Sequence, residues 1–86
     1  MQQQTVTVSN PSGLHARPGK DFVQLAKTFE SEVSVTKDGK SYPGKSLLKL
    51  MQAGISQNDQ ITIVTEGSDE VAALEAMVNY LKNLDD

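Results

Sequence analysis

Gly13-Leu14-His15-Ala16-Arg17-Pro18 holds the only histidine and the only arginine among 86 residues, two positions apart. Asn10-Pro11-Ser12-Gly13 ahead of it is turn chemistry, and an apolar periodic run follows at Phe22, Val23, Leu25, Ala26 and Phe29. Pro18 has a fixed φ and no N–H, so a helix tolerates it only in the first turn. The spacing predicts a helix over about 16–28, with His15 at or near its N-cap.

Outward from that helix, strand and helix patterns follow one another. Thr5-Val6-Thr7-Val8 alternates and predicts a strand, and Ser31 to Thr36, with Val33 and Val35 on one face, predicts a second. Asp38-Gly39 is a two-residue hairpin signal, so Lys40-Ser41-Tyr42 should return as a short third strand that Pro43 ends, as suits an edge. Ser46 can cap a short helix over about 47–52, with Gly54 as its stop. Ile61-Thr62-Ile63-Val64-Thr65 reads as a fourth strand after the Gln57-Asn58-Asp59 turn. Ser68 is the N-cap expected for a last helix, with Asp69 and Glu70 in its first turn, where negative charge is favoured. Its apolar stripe runs Val71, Leu74, Val78 and Leu81, flanked by Met77 and Leu84.

The order βαββαβα predicts an α+β fold: three amphipathic helices over one face of a four-stranded antiparallel sheet. Thr5, Thr7, Ser34, Thr36, Thr62 and Thr65 supply much of the uncovered face. Without repeats or linkers, residues 1–86 read as a single domain with a modest core.

Composition narrows the function classes. There is no cysteine, which excludes disulfides and thiolate metal sites, and no second histidine to share a metal. Met1-Gln2-Gln3-Gln4 lacks both a basic and an apolar leader region, and no apolar run reaches membrane-spanning length. A cytoplasmic protein without membrane insertion is expected. The net charge of −3 is unevenly spread. Residues 1–50 carry seven bases against four acids, whereas residues 51–86 carry Lys82 alone against seven acids. An acidic protein partner suits the basic half. Nucleic acid does not, because the total is acidic and no basic-aromatic platform is present.

A helix N-terminus offers unpaired backbone N–H groups and a partial positive charge, so it suits an anion. The same field disfavours an imidazolium and leaves a ring nitrogen free as a nucleophile. A phosphoryl group on that nitrogen would face those N–H groups, with Arg17 within reach as a fork-shaped donor. Nucleophilic phosphoryl acceptor is one reading of His15. An exposed loop histidine beside an ordinary helix start is the other, and the residues alone leave both open.

Leu47, Leu48, Leu50 and Met51 put more apolar surface on a six-residue helix than one buried stripe needs. Leu50 should point inward, leaving part of Leu47, Leu48 and Met51 outside as core margin or as a docking patch. Arg17, Lys20 and Lys27 fall within an arc of about 80° on the first helix, and Lys45 and Lys49 extend the positive field toward the second.

The stretch 13–18 resembles the phosphorylation-site motif of the HPr family, the phosphocarriers of the bacterial phosphoenolpyruvate:sugar phosphotransferase system. Gly39-Lys40, then Lys45-Ser46-Leu47-Leu48-Lys49-Leu50-Met51, resembles the family's regulatory-serine segment at family-like spacing. The resemblance runs over essentially the whole chain. It implies an open-faced β-sandwich with strand order 1-4-2-3, which the residues alone do not give. It implies a phosphoryl group accepted on His15 at Nδ1 from phospho-Enzyme I, stabilised by Arg17, and passed to Enzyme IIA proteins or domains. Such a protein is a monomeric covalent carrier rather than an enzyme, and no cofactor is implied. The resemblance also implies a phosphorylatable Ser46, with an HPr kinase/phosphorylase and a transcriptional regulator as further partners. Ala16, Lys20, Lys27, Lys45, Leu47, Leu48, Lys49 and Met51 would then lie on the partner-binding face. Gly19-Lys20-Asp21 departs from the small apolar residues usual in the family after Pro18. A regulatory or nitrogen-branch paralogue is the alternative within the same family.

Overall fold

A computed structural model describes residues 1–84; Asp85 and Asp86, counted above among the acids, lie outside the described residues. The elements are β1 (Gln2–Thr7), α1 (Ala16–Ala26), β2 (Glu32–Lys37), β3 (Lys40–Pro43), α2 (Leu47–Gln52), β4 (Gln60–Glu66) and α3 (Glu70–Lys82). The four strands form one antiparallel sheet in the order β1-β4-β2-β3, and the helices cover one face of it. Val6, Val33, Val35, Ile61 and Ile63 from the sheet meet Phe22, Val23, Ala26, Leu50, Met77, Val78 and Leu81 from the helices in one buried cluster.

Local chemistry accounts for most boundaries. Asp38 and Gly39 have φ of 52° and 81°. Positive values at both central residues make the turn that matches strand twist, and Lys37 pairs with Lys40 across it. Pro43 is the last residue of an edge strand, where a missing N–H costs no ladder bond. The Ser46 side chain accepts the Lys49 N–H and so caps α2. Gly54 follows the Ala53 C-cap with φ of 61°, a left-handed stop.

Four expectations need correction. β1 begins at Gln2 rather than Thr5, because β4 offers pairing partners as far as Thr65 for Gln2, Gln3 and Gln4. Val8 leaves the strand yet stays buried, its N–H donated to the Asp59 carbonyl (2.8 Å) and its own carbonyl accepting from Asn58. Thr65 sits on the covered face, in phase with Ile61 and Ile63, and is fully buried; its hydroxyl donates to the Glu70 carbonyl (2.8 Å). Asp69, not Ser68, is the N-cap of α3, and its carboxylate serves Ser31 and the Glu30 N–H instead of its own helix. Ser68 donates to the Glu30 carboxylate. In α3 Val71 is exposed in the first turn, and the buried face runs through Ala73, Met77, Val78 and Leu81. Two smaller shifts belong with these: Ser31 precedes β2, and α1 ends at Ala26, with Lys27 as C-cap.

Candidate functional site

The His15 loop is built from its own turn chemistry and then braced from outside. The Asn10 side-chain amide donates to the Gly13 carbonyl (2.8 Å), the Gly13 N–H to the Asn10 carbonyl (3.2 Å), and the His15 N–H to the Ser12 carbonyl (3.3 Å). Leu14 is buried as the loop's anchor, and its N–H reaches across to the Ile55 carbonyl (3.2 Å) in the α2–β4 turn. From the other side, the Tyr80 hydroxyl of α3 donates to the Pro18 carbonyl (2.9 Å), and the Tyr80 ring meets Phe22.

His15 is the N-cap of α1, with extended backbone (φ −101°, ψ 160°), as its sequence position predicts. Its side chain makes no cap hydrogen bond and is partly exposed, so the ring stands at a positive helix end without being spent on it. Ala16 has φ of 50°, a left-handed conformation costing roughly 1–2 kcal/mol outside glycine. Gly19 shows why its position takes no side chain here: a Cβ would overlap the Leu14 carbonyl oxygen and touch Leu47 Cδ1 at 3.7 Å. The same contact places Leu47 of α2 against the first turn of α1.

The other site residues divide into two groups. Arg17, Lys20 and Lys49 are exposed, and so are Ala16, Leu47, Leu48 and Met51. Leu48 is 70% exposed while Leu50 is fully buried. Apolar α2 surface beside a basic helix start is the combination a docking face needs, an apolar centre with a charged margin. Lys27 stands at the far end of α1, about 16 Å along the axis from Ala16 at 1.5 Å per residue. Lys45 is half-buried, and its ammonium donates to the Phe29 carbonyl (2.7 Å) beyond that same end. These two lysines are therefore not gathered around His15.

Sequence reasoning missed the ion pair between Arg17 Nε and Asp21 Oδ2, 3.8 Å apart and largely exposed. The i,i+4 spacing was its signal. A pair so exposed contributes about 0.2–1 kcal/mol at most, so it leaves the guanidinium free to turn toward another anion. No local pattern marked the brace from Ile55 to Leu14, because it joins residues 41 positions apart.

Comparison with known proteins agrees with this geometry. A model of the family described as the PTS HPr component phosphorylation site matches residues 2–83. Phosphocarrier protein HPr of Buchnera aphidicola subsp. Baizongia pistaciae is 42% identical over 84 residues, covering 98% of this chain and 99% of that one. HPr-like protein Crh of Halalkalibacterium halodurans is also 42% identical, over 82 residues, covering 95% of this chain and 98% of that one. The crystal structure of HPr-C-His from Thermoanaerobacter tengcongensis superposes with a TM-score of 0.93 at 39% identity, covering 95% of this chain and 92% of that one.

Proposed function

The chain belongs to the HPr family of phosphotransferase-system phosphocarriers, and from that premise we propose that it carries a phosphoryl group on Nδ1 of His15. The Nδ1 lone pair forms the bond to phosphorus as the bond to the donor, phospho-Enzyme I, breaks and the donor keeps its electron pair. Nε2 retains its proton. The group then leaves by the reverse step to a sugar-specific Enzyme IIA protein or domain. Residues 1–86 act as one domain, a carrier in the cytoplasm rather than a catalyst.

One observation carries this reading: the sole imidazole caps α1 without spending its ring nitrogens there. A phosphoryl dianion on Nδ1 meets the positive helix end, and Arg17, held only by an exposed pair, turns to it. The docking face joins Ala16, Arg17 and Lys20 to Leu47, Leu48, Lys49 and Met51, with Lys27 and Lys45 as an outlying basic margin. Phosphoenolpyruvate and Enzyme I should add a single acid-labile phosphoryl group by intact mass, and His15→Ala should stay folded and take none. Stoichiometric labelling of that variant would sink the assignment.

Crh-type relatives and the capping Ser46 favour a second reading, a regulatory paralogue or nitrogen-branch carrier acting through an HPr kinase/phosphorylase and a transcriptional regulator. A His15 that accepts phosphate argues against a purely regulatory form. We take the working species as a monomer. Crh of Bacillus subtilis, 40% identical with a TM-score of 0.78, was solved as a dimer with a swapping domain. Light scattering that found a dimer of this chain at micromolar concentration would overturn the monomer.

A further inference from the structure

We propose that Lys37 is a positioning residue for this transfer: its ammonium clasps the α2–β4 turn and so fixes the spacing between the His15 loop and the docking helix α2. The inference rests on the phosphocarrier reading above.

A lysine ammonium has three N–H groups. Lys37 Nζ meets three acceptors, the Gly54 carbonyl (2.8 Å), the Asp59 carboxylate (3.0 Å) and the Ala53 carbonyl (3.2 Å). Its side chain is only 18% exposed, so this is a seated group rather than a solvated one. Ala53 and Gly54 close the C-terminal end of α2, where a cation is favoured by the helix dipole and by orphan carbonyls. Asp59 meanwhile accepts the Ser56 N–H (2.8 Å). One ammonium therefore ties the end of β2 to both ends of the turn 53–59.

That turn is what the His15 loop rests on. Ile55, next to Gly54, is buried and gives its carbonyl to the Leu14 N–H; Gly13 lies so close that a Cβ would come within 2.8 Å of Ser56 Cα. On its other side the turn continues directly into α2, which carries Leu47, Leu48 and Met51. A partner must engage the α2 patch and the His15 loop at once, and two surfaces already held in their bound spacing cost less ordering on docking than two that move independently. Lys37 touches neither surface, yet it holds the segment joining them.

The test uses Lys37→Met, which keeps the aliphatic stem and removes the ammonium. Two readouts are taken: amide hydrogen exchange at Leu14 against Ile63 in mid-β4, and steady-state transfer from phospho-Enzyme I. The expected result is exchange at Leu14 about tenfold faster with Ile63 unchanged, a local opening. With it, KM for the carrier should rise about fivefold while kcat stays within about twofold, the signature of a misaligned docking face. Asp59→Asn, which keeps both carbonyl acceptors, should shift the same quantities in the same direction by less. Unchanged Leu14 exchange overturns the proposal. Equal acceleration at Leu14 and Ile63 also overturns it, since that is general destabilisation, and so does faster Leu14 exchange with KM unmoved. A parent protein that takes no phosphoryl group brings down the carrier reading and the transfer role with it, while the Leu14 comparison still reports whether the clasp holds the loop.

Discussion

Gly13 has φ of 60°, and its missing Cβ leaves room for Ile55 and Ser56 to pass directly over the loop. Both features act on one residue, so an added methyl meets two penalties. The left-handed conformation costs an L-residue roughly 1–2 kcal/mol, and displaced backbone adds a similar amount. Gly13→Ala should therefore lower stability by about 2–4 kcal/mol, a fall in Tm of roughly 10 °C or more for a domain of this size. Thermal unfolding followed by circular dichroism checks it. The variant should also lose transfer activity at temperatures where it remains folded, because the Leu14–Ile55 bond cannot form over the added atom. A parent-like Tm would mean that the loop can lift from the α2–β4 turn without cost.

At the scale of the element, α2 is the shortest helix and is held from both ends. Its six residues are too few to be stable alone, so Ser46 at the N-cap, Lys37 on the C-terminal carbonyls and buried Leu50 hold it together. Ser46→Asp keeps a capping oxygen, so Tm should move by no more than about 2–4 °C, the equivalent of roughly 0.5 kcal/mol. Transfer from phospho-Enzyme I should still slow several-fold, because a charge now adjoins Leu47 and Leu48 where an acidic partner would dock. Equal transfer rates would remove α2 from the docking face. This helix and its bounds were legible because cap, apolar run and stop all lie within ten residues. The start of α3 was illegible for the opposite reason. Asp69 is drawn out of its own helix by Ser31 and Glu30, nearly forty residues earlier. Thr65, by contrast, was legible locally, since it shares the strand phase of Ile61 and Ile63 and its hydroxyl finds the Glu70 carbonyl five positions on. His15 was readable because Pro18 fixes a helix start locally. The half-burial of Lys45 and the seat of Lys37 were not, since each amine finds its partners 16 or more positions away.

At the scale of the whole molecule, three carboxylates fasten the loops at the ends of the sheet, and each is held below the ordinary carboxylate range. For Asp59 the leading cause is the Ser56 N–H, followed by Lys37; for Asp69 it is the Ser31 hydroxyl, then the Glu30 N–H. For Glu70 it is the amino terminus, 2.9 Å away, then the Gly67 N–H. A group whose folded value is depressed binds its proton more readily in the unfolded chain. Its stabilising contribution is therefore complete above the unfolded value of about 4 and disappears as pH falls through the lower folded value. The three fastenings join β1 to β4–α3, the α1–β2 loop to α3, and the α2–β4 turn to β2. Acid should thus loosen the periphery of the sheet together rather than one corner of it. Tm should be nearly level from pH 7 to pH 5 and fall progressively from about pH 4 to pH 2. Asp69→Asn should start lower at pH 7, because it replaces an acceptor that serves two backbone N–H groups and a hydroxyl, and should then fall less steeply. Convergence of the two curves near pH 2 is the expected signature, read by calorimetry at fixed ionic strength. Parallel curves would show that Asp69 contributes its geometry but not its charge, and acid sensitivity would then have to reside in Asp59 and Glu70.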